Sequence, residues 1–195
     1  MKKWLLIIYG IISFSALPVF GSEAEARGYF SDRAANFNQR YLNFYLYNAI
    51  KDTAYSWGKE NSSHQLLKWS VGISYKWANF KRFGDSIFKV KVSSFNINKK
   101  EVLKNSFLVG VSFPDIDSGF PFYFGVSIGP GFFLSQLPSE SILSLDYQGY
   151  LGFRFLNIYN TMGAFLEWGF DNHFLLLSSG QYNSVYLAVG LSFVF

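Results

Sequence analysis

The segment Leu67-Lys68-Trp69-Ser70-Val71-Gly72-Ile73-Ser74-Tyr75-Lys76-Trp77 decides the fold. Its odd positions are all apolar or aromatic, and its even positions are lysine, serine and glycine. Successive side chains of a strand point to opposite faces, so this period of two predicts one greasy face and one small, cationic face. Trp69 and Trp77 share the greasy face. On a strand of about 3.3 Å rise tilted by ~40°, they differ in height by roughly 20 Å, close to the spacing of two aromatic girdles around a lipid-facing band.

The pattern recurs along the chain. Phe88, Val90 and Val92 alternate with Lys89, Lys91 and Ser93, and Phe107, Val109, Val111 and Phe113 with Ser106, Leu108, Gly110 and Ser112. Further apolar sets are Phe120 to Ile128, Leu145 to Phe155, Met162 to Phe170 and Val185 to Phe195, each taken at every second residue. An eighth strand is expected at Arg40 to Asn48, where Leu42, Phe44 and Leu46 alternate with tyrosines and Asn43. That segment could also open as an amphipathic helix, and the even strand number of bacterial barrels favours the strand. The predicted turns on one side are Asn79–Asp85, Pro114–Gly119 and Leu156–Asn160. On the other side the predicted loops are Ala49–Gln65, Asn98–Lys104, Pro130–Ser141 and Asn172–Asn183, mostly longer, as expected of extracellular loops.

Composition limits where such strands can live. Charged residues make up 15% of the chain, against about 25% in ordinary globular domains. Aromatics make up 21%, with 23 Phe and 13 Tyr. Residues 1–26 resemble a secretory leader: Lys2 and Lys3, the apolar run Trp4 to Leu17, then Pro18 and small-residue sites for cleavage after Gly21 or Ala26. Beyond it no run is long and apolar enough to be a spanning helix. A greasy chain without such a helix satisfies its backbone in a membrane only by closing into a barrel. The expectation for 27–195 is therefore an all-β, transmembrane, antiparallel up-and-down barrel of about eight strands. A soluble lipocalin-type barrel would have to pack the Phe- and Trp-rich face inside, where eight strands leave too little room. Glycines at 72, 110, 125, 129, 152, 163, 169 and 190 suit the narrow interior instead. The net charge of +4 falls to +2 once Lys2 and Lys3 leave with the leader, if Glu23 and Glu25 stay, too little for a nucleic-acid partner. There is no cysteine.

The run Val185 to Phe195, with Phe193 and Phe195 on one face, resembles the C-terminal assembly signal of outer-membrane barrels. The mature chain is similar in size and pattern to the small eight-stranded families: the OmpA transmembrane domain, OmpX and the lipid A palmitoyltransferase PagP. That resemblance implies residence in the bacterial outer membrane. It also implies contact with outer-membrane lipids and lipopolysaccharide, and passage through the barrel-assembly machinery; a monomer is expected.

Candidate chemistry is sparse. His64 lies beside Ser62 and Ser63 with Asp52 upstream, and His173 lies beside Asp171 with Ser178 and Ser179 following. Either could serve a lipid A-modifying acyltransferase or deacylase at the outer rim, since a Ser–His pair needs only contact and an orienting carboxylate. Both are also consistent with solvated loops, and His173, followed by Phe174 and Leu175, lacks the His-x-Ser spacing that resemblance to a deacylase would imply. No metal cluster or cofactor motif is present. Inside the barrel, Lys68, Lys76, Lys89, Lys91 and Arg154 are expected to face Asp146, Glu167 and Asp171 as ion pairs plugging the lumen, because an unpaired buried charge costs several kcal/mol. A narrow anion-preferring pore is the rival use of the same cations; resemblance to the palmitoyltransferase implies an acyl-chain slot among the inward glycines, against which the inward lysines argue. Trp69, Trp77 and Trp168 are the expected girdle. Phe132 to Leu134 and Phe174 to Leu177 are expected as exposed apolar clusters or strand extensions. The function expected is structural or surface-interacting, with a plugged lumen.

Overall fold

A computed structural model describes residues 39–56, 59–62, 67–80, 84–97, 100–136 and 140–195. The leader at 1–26 and His64 lie outside the described residues. Eight long strands form one closed antiparallel sheet: β1 (Tyr41–Ser56), β3 (Leu67–Phe80), β4 (Gly84–Ile97), β5 (Lys100–Phe113), β6 (Phe122–Phe133), β7 (Leu143–Tyr159), β8 (Met162–Leu175) and β9 (Gly180–Val194). Neighbours in sequence are neighbours in space, and β1 pairs with β9 from Tyr41↔Val194 to Ser56↔Gly180. A four-residue strand, β2 (Lys59–Ser62), continues the first hairpin by pairing with the end of β1. Closure leaves no barrel edge with unpaired backbone groups.

The faces follow the period of two. Phe44, Leu46, Val109, Val126, Ile128, Leu166, Trp168 and Leu187 are exposed on the outside, whereas Tyr41, Tyr45, Tyr47, Tyr150 and Tyr186 are buried inside. Outward positions of β1 and β3–β9 carry no charge from the level of Trp77 to that of Trp69. A polar border of Asn48, Lys51, Lys68, Asn105 and Asn183 stands above them. β3 has 14 residues, about 35 Å along the barrel axis at ~3.3 Å rise and ~40° tilt, more than the ~25 Å apolar band of such barrels.

Strands this long correct several predicted boundaries. β1 runs on to Ser56 because a bulge between Ala49 and Lys51 swaps its faces: Tyr45 and Tyr47 point inward below it, Asp52 and Ala54 above it. A bulge inserts one residue and so inverts the alternation beyond it. The predicted loop at 98–104 shrinks to 98–99, because β5 begins at Lys100. Of the segments expected as exposed apolar clusters or strand extensions, β6 and β8 extend to Phe133 and Leu175, which are 3% and 0% exposed and point inward. Leu134 and Leu177 are exposed. The connection at 114–121 is among the longest, and those at 98–99 and 176–179 are short, so loop length does not distinguish the two ends.

Inward tyrosines fit because glycine faces them across the ladder. Tyr45 pairs with Gly72, Tyr150 with Gly125 and Tyr186 with Gly169. A Cβ at Gly72 would come within 2.4 Å of the Tyr45 ring. Gly110 is tighter still: its Cβ would stand 2.2 Å from the Val126 carbonyl oxygen, a backbone atom that cannot swing away. Gly110→Val is therefore expected to cost at least ~1–3 kcal/mol by overpacking. The check is the urea midpoint of the heat-modifiable gel band, and a wild-type midpoint would contradict this reading of the β5–β6 contact.

Candidate functional site

The lumen holds the chain's concentrated chemistry, in three levels along the axis. At the end where Arg40 and Phe195 exchange backbone hydrogen bonds, the 114–121 connection folds into the barrel mouth. A single 3-10 turn, Ile116–Ser118, is capped by the Asp115 side chain, which accepts from the Ser118 N–H, and by Gly119 at φ 69°. This tight turn drives Ile116 to 1% exposure. Asp85 Oδ2 accepts the Ile116 N–H at 2.9 Å, Lys76 Nζ lies 2.9 Å from Asp85 and 3.4 Å from Asp117, and Arg154 donates to the carbonyls of Pro114 and Asp115 at 2.7 Å each. Two buried cations thus latch one loop.

Glu167 organises the middle level. It accepts from Tyr186 at 2.8 Å and Tyr123 at 3.2 Å, with Lys89 Nζ 3.8 Å away. Lys89 also donates to Gln148 at 3.0 Å and sits 3.6 Å from the centre of the Tyr150 ring. A cation over an electron-rich face recovers part of its lost hydration.

The far level joins Asp171 and Asp146 through His173. Asp171 accepts from Lys91 and, at 2.6 Å, from Tyr47. Asp146 accepts from Lys104 at 2.5 Å, Ser106 at 2.5 Å and Ser144 at 2.7 Å. His173 Nδ1 lies 2.6 Å from Lys104 Nζ, and its Nε2 lies 3.5 Å from Asp171. Nδ1 also lies 3.0 Å from Asp146 Oδ1, so it stands between an ammonium and a carboxylate, while Nε2 faces Asp171 without a hydrogen bond. Above this level Leu67, Phe95, Phe133, Leu175 and Tyr182 close the mouth with apolar side chains. Phe95 stands edge-on to both His173 at 5.2 Å and Phe133 at 5.5 Å.

Lys76, Lys89, Lys91, Asp146, Arg154, Glu167 and Asp171 therefore all lie buried in the lumen. Lys68 does not. A bulge between Leu67 and Trp69 turns Leu67 inward and Lys68 outward, where it pairs with Glu101 at 2.9 Å on the surface. His173 is not on a solvated loop but 0% exposed inside β8, because that strand continues past Asp171 to Leu175. Lys104, expected in a loop, is equally buried. The signal for it was present: Val102, Lys104, Ser106 and Leu108 continue the inward face of β5. Among the described residues, five lumen cations meet five carboxylates: Asp85, Asp117, Asp146, Glu167 and Asp171. Each lumen cation thus has a carboxylate within reach, and Asp52, also turned inward, accepts the Leu67 N–H at 3.1 Å.

Trp69 lies outward beside Lys68 and opposite Ser94, and Trp77 lies outward two residues from Asn79, so both sit next to polar groups. Trp168 does not: its cross-strand partners are Leu151 and Leu187, which puts it inside the apolar band rather than at its border. Phe193 packs edge-on against Phe44 at 5.9 Å, and Phe195 is exposed at the barrel end.

No family model matches the sequence, and no curated protein matches it either. Solved structures do resemble the fold. Ail, the attachment invasion locus protein of Yersinia pestis, superposes with a TM-score of 0.50 at 12% identity, covering 80% of this chain and 98% of that one. The N-terminal β-barrel domain of Pseudomonas aeruginosa OprF gives 0.48 at 12% identity, with 81% and 98% covered. Neisserial surface protein A gives 0.47 at 13% identity, with 80% and 97% covered. The chain shares its architecture with small eight-stranded outer-membrane barrels.

Proposed function

We propose that this chain is a small outer-membrane barrel with a structural or surface-interaction role, held in lipid by its uncharged outer band and closed to solute flow by its filled lumen. One observation carries the reading: the interior is occupied from end to end. A latched loop closes one mouth, ion pairs fill the middle, and Leu67, Phe95, Phe133 and Leu175 close the other mouth. Eight strands leave an interior that side chains can just fill. An anion pore needs excess cation along an open path, and here each lumen cation already has its carboxylate. A lipid-modifying role for His173 needs access from the rim, and the ring lies under Phe95.

The outer face supports the location. A band of exposed Leu, Val, Ile and Phe with polar residues at its border is stable against lipid but unstable as a water-facing surface. In this reading Phe193 and Phe195 serve the assembly machinery, and the outer band contacts outer-membrane lipids. The test is density-gradient fractionation of expressing cells, with heat-modifiable mobility of the purified chain. Recovery in the outer-membrane fraction, with distinct boiled and unboiled bands, is expected. Recovery as a soluble periplasmic protein would overturn the proposal, and an altered acyl pattern in lipid A from expressing cells would restore the enzymatic reading.

A further inference from the structure

One contact in the lumen does not survive an added proton. His173 Nδ1 lies 2.6 Å from Lys104 Nζ and 3.0 Å from Asp146 Oδ1, and Lys104 Nζ lies 2.5 Å from that same oxygen. The three groups form a tight triangle with no solvent exposure. A neutral imidazole can keep its single proton on Nε2 and leave Nδ1 as an acceptor for the ammonium. An imidazolium cannot, because both of its nitrogens donate. Two donors would then face each other across 2.6 Å. Asp146 has no spare capacity to separate them: Oδ1 already accepts from Ser144 at 2.7 Å as well as from Lys104, and Oδ2 accepts from Ser106 at 2.5 Å.

The other groups around the triangle are fixed in place. Asp171 on β8 faces Nε2 at 3.5 Å and is held by Lys91 on β4 and by the Tyr47 hydroxyl on β1. Asp52 on β1 accepts the Leu67 N–H, Tyr182 on β9 pairs with His173 across the ladder, and Glu140 stands further out against Gly180. β3 and β6 contribute Leu67 and Phe133, which do not titrate. Lys104 is the member with somewhere to go. It is the cross-strand partner of Phe133, and its Nζ stands 5.2 Å from the centre of that ring. Ser106 and Asp146 block the way deeper into the barrel, so a displaced Lys104 moves outward past Phe133. That ring packs on Phe95 at 5.5 Å and Tyr182 at 6.2 Å, and Phe95 stands over His173 at 5.2 Å. The side chains that must give way are those of the apolar cap.

We propose that His173 and Lys104 form an acid-sensitive lock on the apolar mouth: a neutral imidazole keeps Lys104 at Asp146, and a second proton on the ring drives Lys104 out and loosens the cap. The inference rests on the filled-lumen reading above. Its sign follows from linkage, since the loosened form holds one proton more and is therefore favoured as pH falls. Histidine suits the task because its charge changes in the mildly acid to neutral range.

The chain has no cysteine, so a single introduced thiol reports on the cap. L175C places one where Leu175 has no exposure, and L177C places a reference where Leu177 is 97% exposed. The full chain, folded in detergent, is treated with dithiodipyridine, which modifies thiols in acid as well as at neutral pH, from about pH 7.5 to about pH 4.5. Relative to L177C, L175C is expected to react at least tenfold faster at the acid end, with heat-modifiable mobility showing that the barrel is still folded. H173Q and K104M, each combined with L175C, are expected to abolish that acceleration: the first removes the proton acceptor, the second the ammonium it displaces. An L175C rate that does not change with pH would overturn the proposal without reference to either variant. So would an acceleration that persists in folded H173Q, because a carboxylate such as Asp146 or Glu140 would then be the titrating group. A thiol protected across the whole range fails only this inference. One that reacts freely at neutral pH fails the filled lumen beneath it.

Discussion

Replacing Asp146 with leucine is expected to destabilise the folded barrel by about 3–5 kcal/mol. Asp146 accepts from Lys104, Ser106 and Ser144 at once, and it is the carboxylate nearest His173 Nδ1 at 3.0 Å. Its removal leaves the Lys104 ammonium without its carboxylate at a site with no solvent exposure. The cost comes mainly from that stranded cation, not from the lost attraction. The double variant K104M/D146L removes both charges and is therefore expected to be more stable than D146L alone, since apolar replacement of a whole buried pair is often close to neutral. Equilibrium unfolding in urea, followed by the shift between folded and unfolded gel bands, measures both. A D146L midpoint equal to wild type would contradict the network, and a double variant no better than the single would contradict the stranded-charge explanation.

Asp85→Ala is expected to cost a similar ~3–5 kcal/mol and to release one end of the barrel. Asp85 lies 2.9 Å from Lys76 and 3.5 Å from Arg154, and it accepts the buried N–H of Ile116. Without it, two cations lose a shared partner and the 114–121 connection loses an anchor. The connection should then become cleavable by protease in detergent while the strands stay protected. Asp85→Asn keeps an acceptor for the Ile116 N–H and should retain more protection than Asp85→Ala. Equal resistance of wild type and Asp85→Ala to limited proteolysis at 114–121 would show that the loop is held by something else.

Much of this architecture was legible in the sequence because a membrane barrel writes its outer face in every second residue. The strand cores around Val71, Val90, Val109, Val126, Leu151, Leu166 and Val189 were read from that face alone. What was missed lies where the outer face stops being apolar. Above the polar border the strands continue on their inward pattern only, so Lys104, Phe133, His173 and Leu175 fall in segments that read as loops although each faces the lumen. Bulges hid the rest. One inserted residue near Ala49 concealed the upper half of β1, and another at Leu67 to Trp69 sent Lys68 to the wrong side.

Alternation assigns a face but not a partner. Lys91 meets Asp171 and Lys104 meets Asp146 across 80 and 42 residues. Those pairings depend on how far the ladder steps at each hairpin, which the turn residues alone did not reveal. Trp168 shows a related limit: its face was legible, but its height depended on the accumulated register that puts it between Leu151 and Leu187.

Planar-bilayer recording on the refolded full chain tests the filled lumen most directly. Five compensated cations between a latched loop and an apolar cap predict no conductance above the bare bilayer across a range of voltages. Stable, reproducible channel steps from wild-type protein would contradict the account, because ions would then be crossing a space that Lys91, Asp171, Phe95 and Phe133 are said to occupy.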